Sequence, residues 1–340
     1  MSGVSLKDIA KACGMSVATV SKALNGRDDI SPATRELVRH TAQQMDYLPN
    51  SAARMLKTRR SYTIGVLLED AAGSGLTHEY FSRVLQGFKN EAEMLGYDIT
   101  FLRNVNRKMG FLENCLYRGL DGAVVVNKDF DDPEVRKLLN ETSFPCVTID
   151  YVCNTRTSIE SDNVKGMHTL TSYVCSEGHS RIAYIHGEGE AEVTKRRVAA
   201  FYMALEENDI SIPDEYLVEG KYLHSKDAAA CTKRLMELPK PPTCIMYPDD
   251  MTAFGGIEYL RSVGIRVPED VSVTGYDGSE FSQRLLPPLT TYWQNAEKMG
   301  QEAAKELITS IEHPKTSYLK RITIEGALWK GDTVRKIETN

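Results

Sequence analysis

Short apolar segments alternate with longer amphipathic segments through residues 61–340, and this alternation restricts the fold more than any other feature. Amphipathic stretches such as Phe81–Leu95 and Lys195–Asn208 separate several apolar runs of strand length. The runs are Ile64–Leu68, Ile99–Leu102, Ala123–Val126, Cys146–Ile149, Ile182–Ile185, Cys244–Met246 and Val271–Thr274. This pattern predicts α/β structure, with doubly wound parallel sheets covered by helices on both faces. Because these residues exceed one such domain, we expect two lobes.

Charge is distributed unevenly along the 340 residues. Residues 1–60 hold ten Lys and Arg against five Asp and Glu, a net charge of +5. The whole chain carries −6, so the remainder carries −11. A small basic head on an acidic body is typical of a protein whose head meets a polyanion. A basic face that is only solvated is the alternative.

Composition narrows the class of protein. The chain is 41% hydrophobic and 26% charged, as in soluble globular proteins. No apolar run approaches the roughly 18 residues of a membrane helix, and the first ten residues lack the pattern of a secretory signal. The seven cysteines include no C-x-x-C pair, which favours a reduced, cytoplasmic compartment over a disulfide framework.

Three short helices are predicted in the head. Ser5 and Asp8 form a capping box before an apolar stripe, and Gly14 ends that helix. Ser16 caps the second helix, and Ser31 before Pro32 caps the third. Two helices joined through a glycine turn, followed by a third, are typical of a helix-turn-helix unit. A small helical cap without a ligand fits the same pattern.

The outer face of the second helix carries small or basic side chains, which suits the major groove of DNA. Val17, Ala18, Ser21 and Lys22 lie on this face, and Lys22 can reach guanine acceptors. Short donors suited to phosphate groups stand near the helix starts. They are Ser16, Thr19, Asn25 and Thr34.

At this point the chain resembles the lactose-repressor (LacI/GalR) family over nearly its whole length. The runs that carry the resemblance in the head are 6–10, 16–25 and 47–50, and 53–61 with 64–66 resembles the hinge helix and first core strand. The resemblance implies base contacts from Val17, Ala18, Lys22 and Leu56. It implies backbone contacts from Lys7, Ser16, Thr19, Ser21, Asn25, Thr34, Asn50 and Ala53. Lys22 stands where Arg is frequent in the family, so we expect base readout to differ.

The hinge, residues 50–60, is too short for a stable isolated helix, so we expect it to order only when two copies pack together on DNA. The resemblance implies that Leu56 from each subunit enters the minor groove and kinks the duplex, and Arg54 and Lys57 flank it suitably. A small amphipathic linker face is the alternative interpretation of Ala52, Ala53 and Leu56.

Polar side chains at the ends of core strands predict a ligand cleft between the lobes. Asp150, Asp249 and Asp277 each follow an apolar run, and Arg197 can donate as a fork. The resemblance implies effector contacts from Tyr80, Phe81, Arg197, Tyr222 and Asp277. As alternatives, Asp277 caps a helix, Asp150 braces its lobe, and Tyr80 and Phe81 pack at a helix start. Asp249 replaces the usual Asn of the family, so we expect one more acidic group in the cleft and a neutral, hydroxyl-rich ligand.

The resulting architecture is an all-α helix-turn-helix head plus a two-lobed core similar to periplasmic sugar-binding proteins. We expect the head at 1–49, the hinge at 50–60 and the core at 61–340. The first lobe takes about 61–160 plus 292–320, and the second takes 161–291 plus 321–340. No apolar heptads follow Trp329, so we expect a homodimer without a tetramerising coiled coil.

These features predict a cytoplasmic, DNA-binding transcriptional repressor that binds a near-palindromic operator and is controlled by a small effector, most simply a sugar or oligosaccharide. A purine or other non-sugar effector and an activating role remain open. An enzyme is the first rival, but the chain has no G-x-G-x-x-G, P-loop, G-x-S-x-G or H-E-x-x-H motif, so we expect no cofactor, catalytic residue or metal. A transport receptor should carry an export signal and lack the basic head.

Overall fold

The computed structural model describes every residue except 1–3, 28, 48–54, 56–57, 69–74, 103–108, 128–129, 142 and 339–340. Asn50, Ala53 and Leu56, and with them most of the predicted hinge, lie outside the described residues. The chain divides into two compact units, residues 1–61 and 62–340. Within the described ranges, no helix is long and apolar enough to cross a membrane.

The head consists of three helices, as predicted: α1 (Leu6–Cys13), α2 (Val17–Leu24) and α3 (Pro32–Gln44). In the predicted capping box, the Ser5 N–H donates to the Asp8 carboxylate at 2.9 Å. Gly14 ends α1 with a φ of +63°, a left-handed conformation that glycine adopts without steric cost. The hydroxyls of Ser16 and Ser31 accept from backbone N–H groups three residues on and so cap α2 and α3.

The apolar stripes of the three helices meet in one small core. Ile9, Val20 and Val38 are fully buried, one from each helix. Burying a side chain of this size contributes about 1.5–3 kcal/mol. This core positions α2 so that its opposite face is exposed.

Twelve strands and nine helices make up the described part of the core. The strands are β1 (Thr63–Leu68), β2 (Asp98–Phe101), β3 (Gly122–Asn127), β4 (Cys146–Ile149), β5 (Thr157–Ser161), β6 (Ile182–His186), β7 (Leu217–Glu219), β8 (Cys244–Met246), β9 (Ser272–Asp277), β10 (Thr290–Trp293), β11 (Arg321–Ile324) and β12 (Ala327–Trp329). The helices are α4 (Glu79–Met94), α5 (Phe111–Tyr117), α6 (Pro133–Asn140), α7 (Asn163–Ser176), α8 (Glu192–Glu207), α9 (Ser225–Met236), α10 (Asp250–Ser262), α11 (Glu280–Arg284) and α12 (Ala296–Glu312).

Two six-stranded sheets define two lobes, which confirms the predicted α/β class. The first has the order β11-β5-β4-β3-β1-β2 with parallel pairings throughout. The second has the order β12-β10-β9-β8-β6-β7, and only β12 is antiparallel. Apolar clusters cover both faces of each sheet, as expected for parallel sheets.

The chain passes between the lobes three times, after β5, after β10 and after β11. All three passages differ from the predicted positions. Ser161 pairs with Ile324 in the first sheet, so the first passage begins after 161 rather than at 161. Trp293 still pairs within the second sheet, so the second passage begins after 293 rather than at 292. Arg321–Ile324 pairs with β5 in the first sheet, so the third passage follows Ile324 rather than beginning at 321. Strand β10 is mostly buried but begins with two threonines, and β11 is partly exposed, so neither carries a continuous apolar run that would indicate its lobe.

Helices α4 and α12 approach each other backbone to backbone in the first lobe. A Cβ added at Gly300 would lie 1.9 Å from the Val84 carbonyl oxygen, and one added at Gly87 would lie 2.0 Å from the Glu297 carbonyl oxygen. Each glycine is therefore required by close packing. The contact fixes the position of α4, whose first turn reaches the cleft.

Both tryptophans of the chain stack on each other beside the passages between the lobes. The rings of Trp293 and Trp329 are nearly parallel, with centroids 5.7 Å apart. Trp293 pairs in register with Asp277, the last residue of β9. A Cβ added at Gly278 would lie 2.5 Å from Trp293, so the backbone after Asp277 lies directly against this indole.

The buried imidazole of His179 should make the stability of the core fall in acid. Its ring nitrogens contact the Thr243 hydroxyl at 2.9 Å and the Arg335 carbonyl oxygen at 3.1 Å. Burial lowers the pKa of His179 from 6.5 to about 4. The unfolded chain therefore binds more protons between these values, and stability is lost as the pH falls from about 6.5 to 4.

The test is urea unfolding of the full chain at pH 7.5 and pH 5. We expect the parent to lose stability at pH 5 and His179→Gln, although weaker at pH 7.5, to lose less on acidification. His313→Gln is the control, because His313 is exposed at the end of α12. An equal acid loss in parent and His179→Gln would contradict the assignment.

Candidate functional site

The exposed face of α2 is the candidate nucleic-acid surface of the head. Val17, Ala18 and Lys22 are exposed there, and Ser21 is half-buried. Lys7 on α1 is also exposed. The structure thus leaves the predicted base-contacting side chains of α2 accessible, as a helix that enters the major groove requires.

The predicted phosphate donors have structural roles as well. Ser16 accepts from the Thr19 N–H at 3.1 Å, and the two hydroxyls are 2.8 Å apart. Thr34 receives a hydrogen bond from Ser31, and the Asn25 amide donates to the Ser21 carbonyl. The contacts of Ser16 and Thr34 lie at the N-termini of α2 and α3, where backbone N–H groups favour anions, whereas Asn25 lies at the C-terminus of α2.

Lys22 forms an ion pair with Asp29, which the sequence did not indicate. Replacing Asp29 with asparagine should strengthen DNA binding by roughly three-fold at most, because an exposed ion pair is weak and its loss releases Lys22 for DNA. The measurement is the affinity of the full chain for its selected operator. Asp46→Asn removes the same charge elsewhere on the head and should have a smaller effect. Equal gains from both variants would show that only net charge matters.

Five of the seven predicted effector residues stand at strand ends or helix starts of the core, and Arg197 lies in the second turn of α8. Tyr80 lies in the first turn of α4, and Asp150 follows β4. Arg197 lies in α8, and Tyr222 follows β7. The carboxylates of Asp249 and Asp277 stand at the start of α10 and the end of β9.

Arg197 is the most constrained side chain of this group. It is 4% exposed, and its Nε donates to Asn163 at 2.8 Å while Nη1 donates to the Pro248 carbonyl at 2.9 Å. The guanidinium lies 3.6 Å from the centroid of the Tyr276 ring, a favourable cation–π position. Within the described part of the chain, Nη2 has no hydrogen-bond partner, so it is available to a ligand.

Asp277 combines an unusual backbone with a free oxygen. Its φ is +104°, a strained conformation for a residue with a Cβ. The Gln294 side chain donates to Asp277 Oδ1 at 2.6 Å, and the Gln294 N–H donates to the Asp277 carbonyl at 3.1 Å. Oδ2 has no partner among the described residues. Burial, and then the charges of Asp249 and Asp250, raise the pKa of Asp277.

Tyr80 and Asp150 form a hydrogen-bonded pair on the first-lobe side. The Tyr80 hydroxyl donates to Asp150 Oδ2, and the Ser161 N–H donates to Oδ1 at 3.3 Å. Burial raises the pKa of both Tyr80 and Asp150. Phe81 is placed differently, because it packs against His78 and the apolar core of the first lobe.

Asp249, predicted as an additional acidic group in the cleft, is held by two backbone contacts. Its two oxygens accept from the backbone N–H groups of Thr252 at 2.8 Å and Leu223 at 2.9 Å, and the residue is 2% exposed. It therefore caps α10 and anchors the loop that carries Tyr222, whose hydroxyl lies 2.9 Å from that of Thr194. From the sequence alone, a residue that follows a strand and starts a helix fits both the role of a cleft acid and the role of a helix cap.

Asp250 is the acidic neighbour that sequence reasoning missed. Its carboxylate accepts from the Thr291 hydroxyl at 2.6 Å and from the Ser279 N–H at 2.7 Å and hydroxyl at 2.8 Å. Burial raises its pKa to about 7. Asp250 thus links α10 to the loop after β9.

A cavity of about 280 Å³ lies between the lobes, and we call it the outer chamber. Of the predicted effector residues, only Tyr80 and Asp277 line it. The other lining residues are Thr77, His78, Glu79, Arg83, Leu223, Asp250, Met251, Ser279, Phe281, Gln294 and Ala296. They come from five separate parts of the sequence, so no local motif could have identified them.

Polar contacts across the cleft hold the two lobes together. The Glu280 N–H donates to Glu79 Oε1 at 2.8 Å, and Arg83 donates to the Gly278 carbonyl at 3.4 Å. On another side of the cleft, Arg196 of the second lobe pairs with Glu160 of the first. A ligand that alters the lobe arrangement must alter these contacts.

Both the head and the core are similar to known proteins. Residues 5–50 match the family described as bacterial regulatory proteins, lacI family, and residues 171–334 match the periplasmic binding protein-like domain. A Bacillus subtilis (strain 168) relative, probable HTH-type transcriptional repressor ExuR, is 30% identical over 99% of this chain and 100% of its own. A complex of the transcriptional regulator CelR with cellobiose is 25% identical, with a TM-score of 0.72 over 97% of this chain and 99% of that one. The lac repressor dimer bound to operator and the anti-inducer ONPF has a TM-score of 0.80 at 24% identity, over 98% and 99%.

Proposed function

Because the chain belongs to the lacI family of bacterial regulatory proteins, and is an effector-controlled DNA-binding regulator, we propose that it is a homodimeric repressor whose effector is a sugar. The observation that carries the proposal is the cleft of the core, where an unpartnered Arg197 donor and Asp277 acceptor lie among buried tyrosines. The cellobiose complex of the CelR relative supports a sugar in this cleft.

In the head, Val17, Ala18 and Lys22 contact base edges in the major groove. Lys7, Ser16, Thr19, Ser21, Asn25 and Thr34 contact the phosphate backbone, together with helix N-terminal N–H groups. Lys22 exchanges its Asp29 partner for a base or phosphate on DNA. Leu56 inserts in the minor groove, and Asn50 and Ala53 contact the backbone near it.

In the core, Arg197 donates to a ligand oxygen through Nη2, and Asp277 accepts from a ligand hydroxyl through Oδ2. Tyr222 and Tyr80 supply ring faces for the apolar surface of a sugar. Asp150 acts through Tyr80, whose hydroxyl it holds. Asp249 and Phe81 support the site from outside it, as an anchor for the Tyr222 loop and as helix packing.

The proposed site takes residues from both lobes, and this explains how the effector controls DNA binding. Effector contacts from both lobes compete with or reinforce the existing contacts Glu79–Glu280 and Glu160–Arg196. A changed lobe arrangement alters the spacing of the two hinge segments in the dimer, and with it operator affinity. Operator binding must change effector affinity by the same factor.

The test begins with selection of genomic fragments by the full chain, followed by affinity measurements at 50 and 200 mM salt. We expect one class of near-palindromic fragment, and a loss of at least roughly 100-fold in affinity with added salt, because phosphate contacts release counterions. Adding the cognate sugar should change operator affinity by at least roughly five-fold. Equal binding to genomic and random duplex would contradict the proposal.

We also propose that the protein has no catalytic activity. Hydrolysis of glycosides uses two carboxyl groups that flank the bond. Here the Asp249 carboxylate accepts two backbone N–H groups and Asp250 accepts three hydrogen bonds. Incubation with nitrophenyl glycosides should give no turnover, and steady release of nitrophenol would contradict this part of the proposal.

A further inference from the structure

A loop of the second lobe, residues 278–280, is held against helix α4 of the first lobe. The backbone N–H of Glu280 donates to Glu79 Oε1 at 2.8 Å. The Arg83 guanidinium pairs with the same oxygen at 2.6 Å and donates to the Gly278 carbonyl at 3.4 Å. One carboxylate of α4 therefore joins its own helix to the second lobe.

The 278–280 loop is fixed within its own lobe. The Asp250 carboxylate accepts from both the N–H and the hydroxyl of Ser279, at 2.7 and 2.8 Å. The Gly278 N–H donates to the Thr291 hydroxyl at 3.3 Å, and the φ of Gly278 is +66°, which a residue with a Cβ adopts only under strain. These contacts tie the loop to the second lobe, so it cannot follow α4 if the lobes move.

Helix α4 is fixed within the first lobe in a comparable way. It packs backbone to backbone against α12, where an added Cβ would lie 2.0 Å from a carbonyl oxygen at Gly87 and 1.9 Å from one at Gly300. Glu79 begins the first turn of α4, and the hydroxyl of the next residue, Tyr80, donates to Asp150. Because neither the loop nor the helix can follow the other, the contact between them is kept in only one arrangement of the lobes.

This contact lies beside a residue of the proposed effector site. Asp277 directly precedes the loop, and Glu79 and Arg83 line the outer chamber together with Asp277. A change of lobe arrangement that moves Asp277 relative to α4 must therefore break the contact.

We infer that Glu79 is a latch between the lobes, which holds them in the arrangement described above without the help of a ligand. A ligand that requires another arrangement must release the Glu280 N–H from Glu79, whereas a ligand that fits this arrangement binds a population that the latch has already enriched. The inference goes beyond the proposed function, because it concerns the core before binding and does not depend on the chemistry of the ligand.

The first test is hydrogen–deuterium exchange, read by mass spectrometry, on the full chain without added ligand. In Glu79→Ala we expect the peptide that covers 278–284 to exchange at least roughly ten-fold faster, because the Glu280 N–H loses a charged acceptor. Glu93→Ala is the matched control, since Glu93 lies in the same helix and pairs with Lys89 of that helix at 2.7 Å. Equal exchange of 278–284 in the two variants overturns the inference.

The second test asks whether the lobes themselves respond. Small-angle X-ray scattering of the full chain should give a larger radius of gyration for Glu79→Ala than for Glu93→Ala, because released lobes separate. Faster exchange in 278–284 with an unchanged radius would show that Glu79 holds only the loop, and it overturns the latch.

Strands β1 and β6, one in each lobe, report on folding in the same exchange experiment. We expect their exchange to be the same in the parent and in both variants. If Glu79→Ala loses this protection, Glu79→Gln takes its place, because glutamine keeps the size of the side chain and an oxygen acceptor. The weaker acceptor should still speed exchange in 278–284 by roughly three-fold, and exchange at the parent's rate overturns the inference.

Operator affinity separates this inference from the proposed function. If the lobe arrangement controls DNA binding, Glu79→Ala should change the affinity for selected operator at least roughly five-fold in the absence of effector, and Glu93→Ala should not. If the parent selects no operator, the proposed function fails, and exchange and scattering still decide the latch. If exchange and scattering change while operator affinity does not, the latch stands and control of DNA binding through the lobes fails.

Discussion

Replacing Arg197 with methionine should lower effector affinity by roughly 100-fold, about 2.7 kcal/mol, and abolish the effector response at the operator. The variant loses the free Nη2 donor, and it removes the groups that bind Asn163 and the Pro248 carbonyl. The charge of Arg197 also acts on Asp277, so its loss should favour the protonated form of that carboxyl. The measurement is calorimetric titration with the effector, alongside operator affinity with and without it.

Lys195 provides a matched control for this variant. It is a neighbouring cation in α8, it is exposed, and its partners Glu190 and Glu192 belong to its own lobe. Lys195→Met should keep effector affinity within a few fold, and both variants should bind operator in the absence of effector. Effector affinity in Arg197→Met equal to that of the parent would remove Arg197 from the site.

Replacing Gly300 with alanine should destabilise the core by about 1–3 kcal/mol, the usual cost of overpacking, or more. The added Cβ would lie 1.9 Å from the Val84 carbonyl oxygen, so α4 and α12 must separate. Because α4 also carries Tyr80, Glu79 and Arg83, we expect effector affinity to fall together with stability. Urea unfolding and effector titration measure the two effects.

The sign of the change in unfolding free energy distinguishes a closely packed glycine from one in an exposed helix. In an exposed helix, Gly→Ala stabilises by up to about 1 kcal/mol, so a gain in stability would contradict the close contact between α4 and α12. Gln301→Ala, at the next residue of the same helix, should be nearly neutral because Gln301 is only partly buried.

The strands that could be predicted from the sequence are those built from a continuous apolar run. The run Ile64–Leu68 is apolar and mostly buried, and it forms β1 as expected. Thr157–Ser161 is just as buried but forms β5 with hydroxyls inside, so it has no apolar run to indicate a strand. Arg321–Ile324 alternates between exposed and half-buried residues at a sheet edge, and its sequence does not indicate which lobe it joins.

Some residues of the candidate site could be located from the sequence, and others could not. Residues whose role follows from a strand end, such as Asp277 and Asp150, could be found in the sequence. Gln294 could not, because its role depends on the contact with Asp277 across a passage between the lobes. Asp249 and Asp250 are adjacent, and only their hydrogen bonds show that the first anchors a helix and loop while the second lines the chamber.

The stacked indoles of Trp293 and Trp329 give the protein an optical probe of strands β10 and β12, beside the passages between the lobes. They are the two tryptophans of the chain, and Trp293 lies in register with Asp277 at a passage between the lobes. Their near-parallel geometry couples the electronic transitions of the two rings, so a small rotation there changes the near-ultraviolet circular dichroism. We expect the proposed rearrangement at these passages to change this signal when effector is added, so that it can be followed in the unlabelled protein in real time.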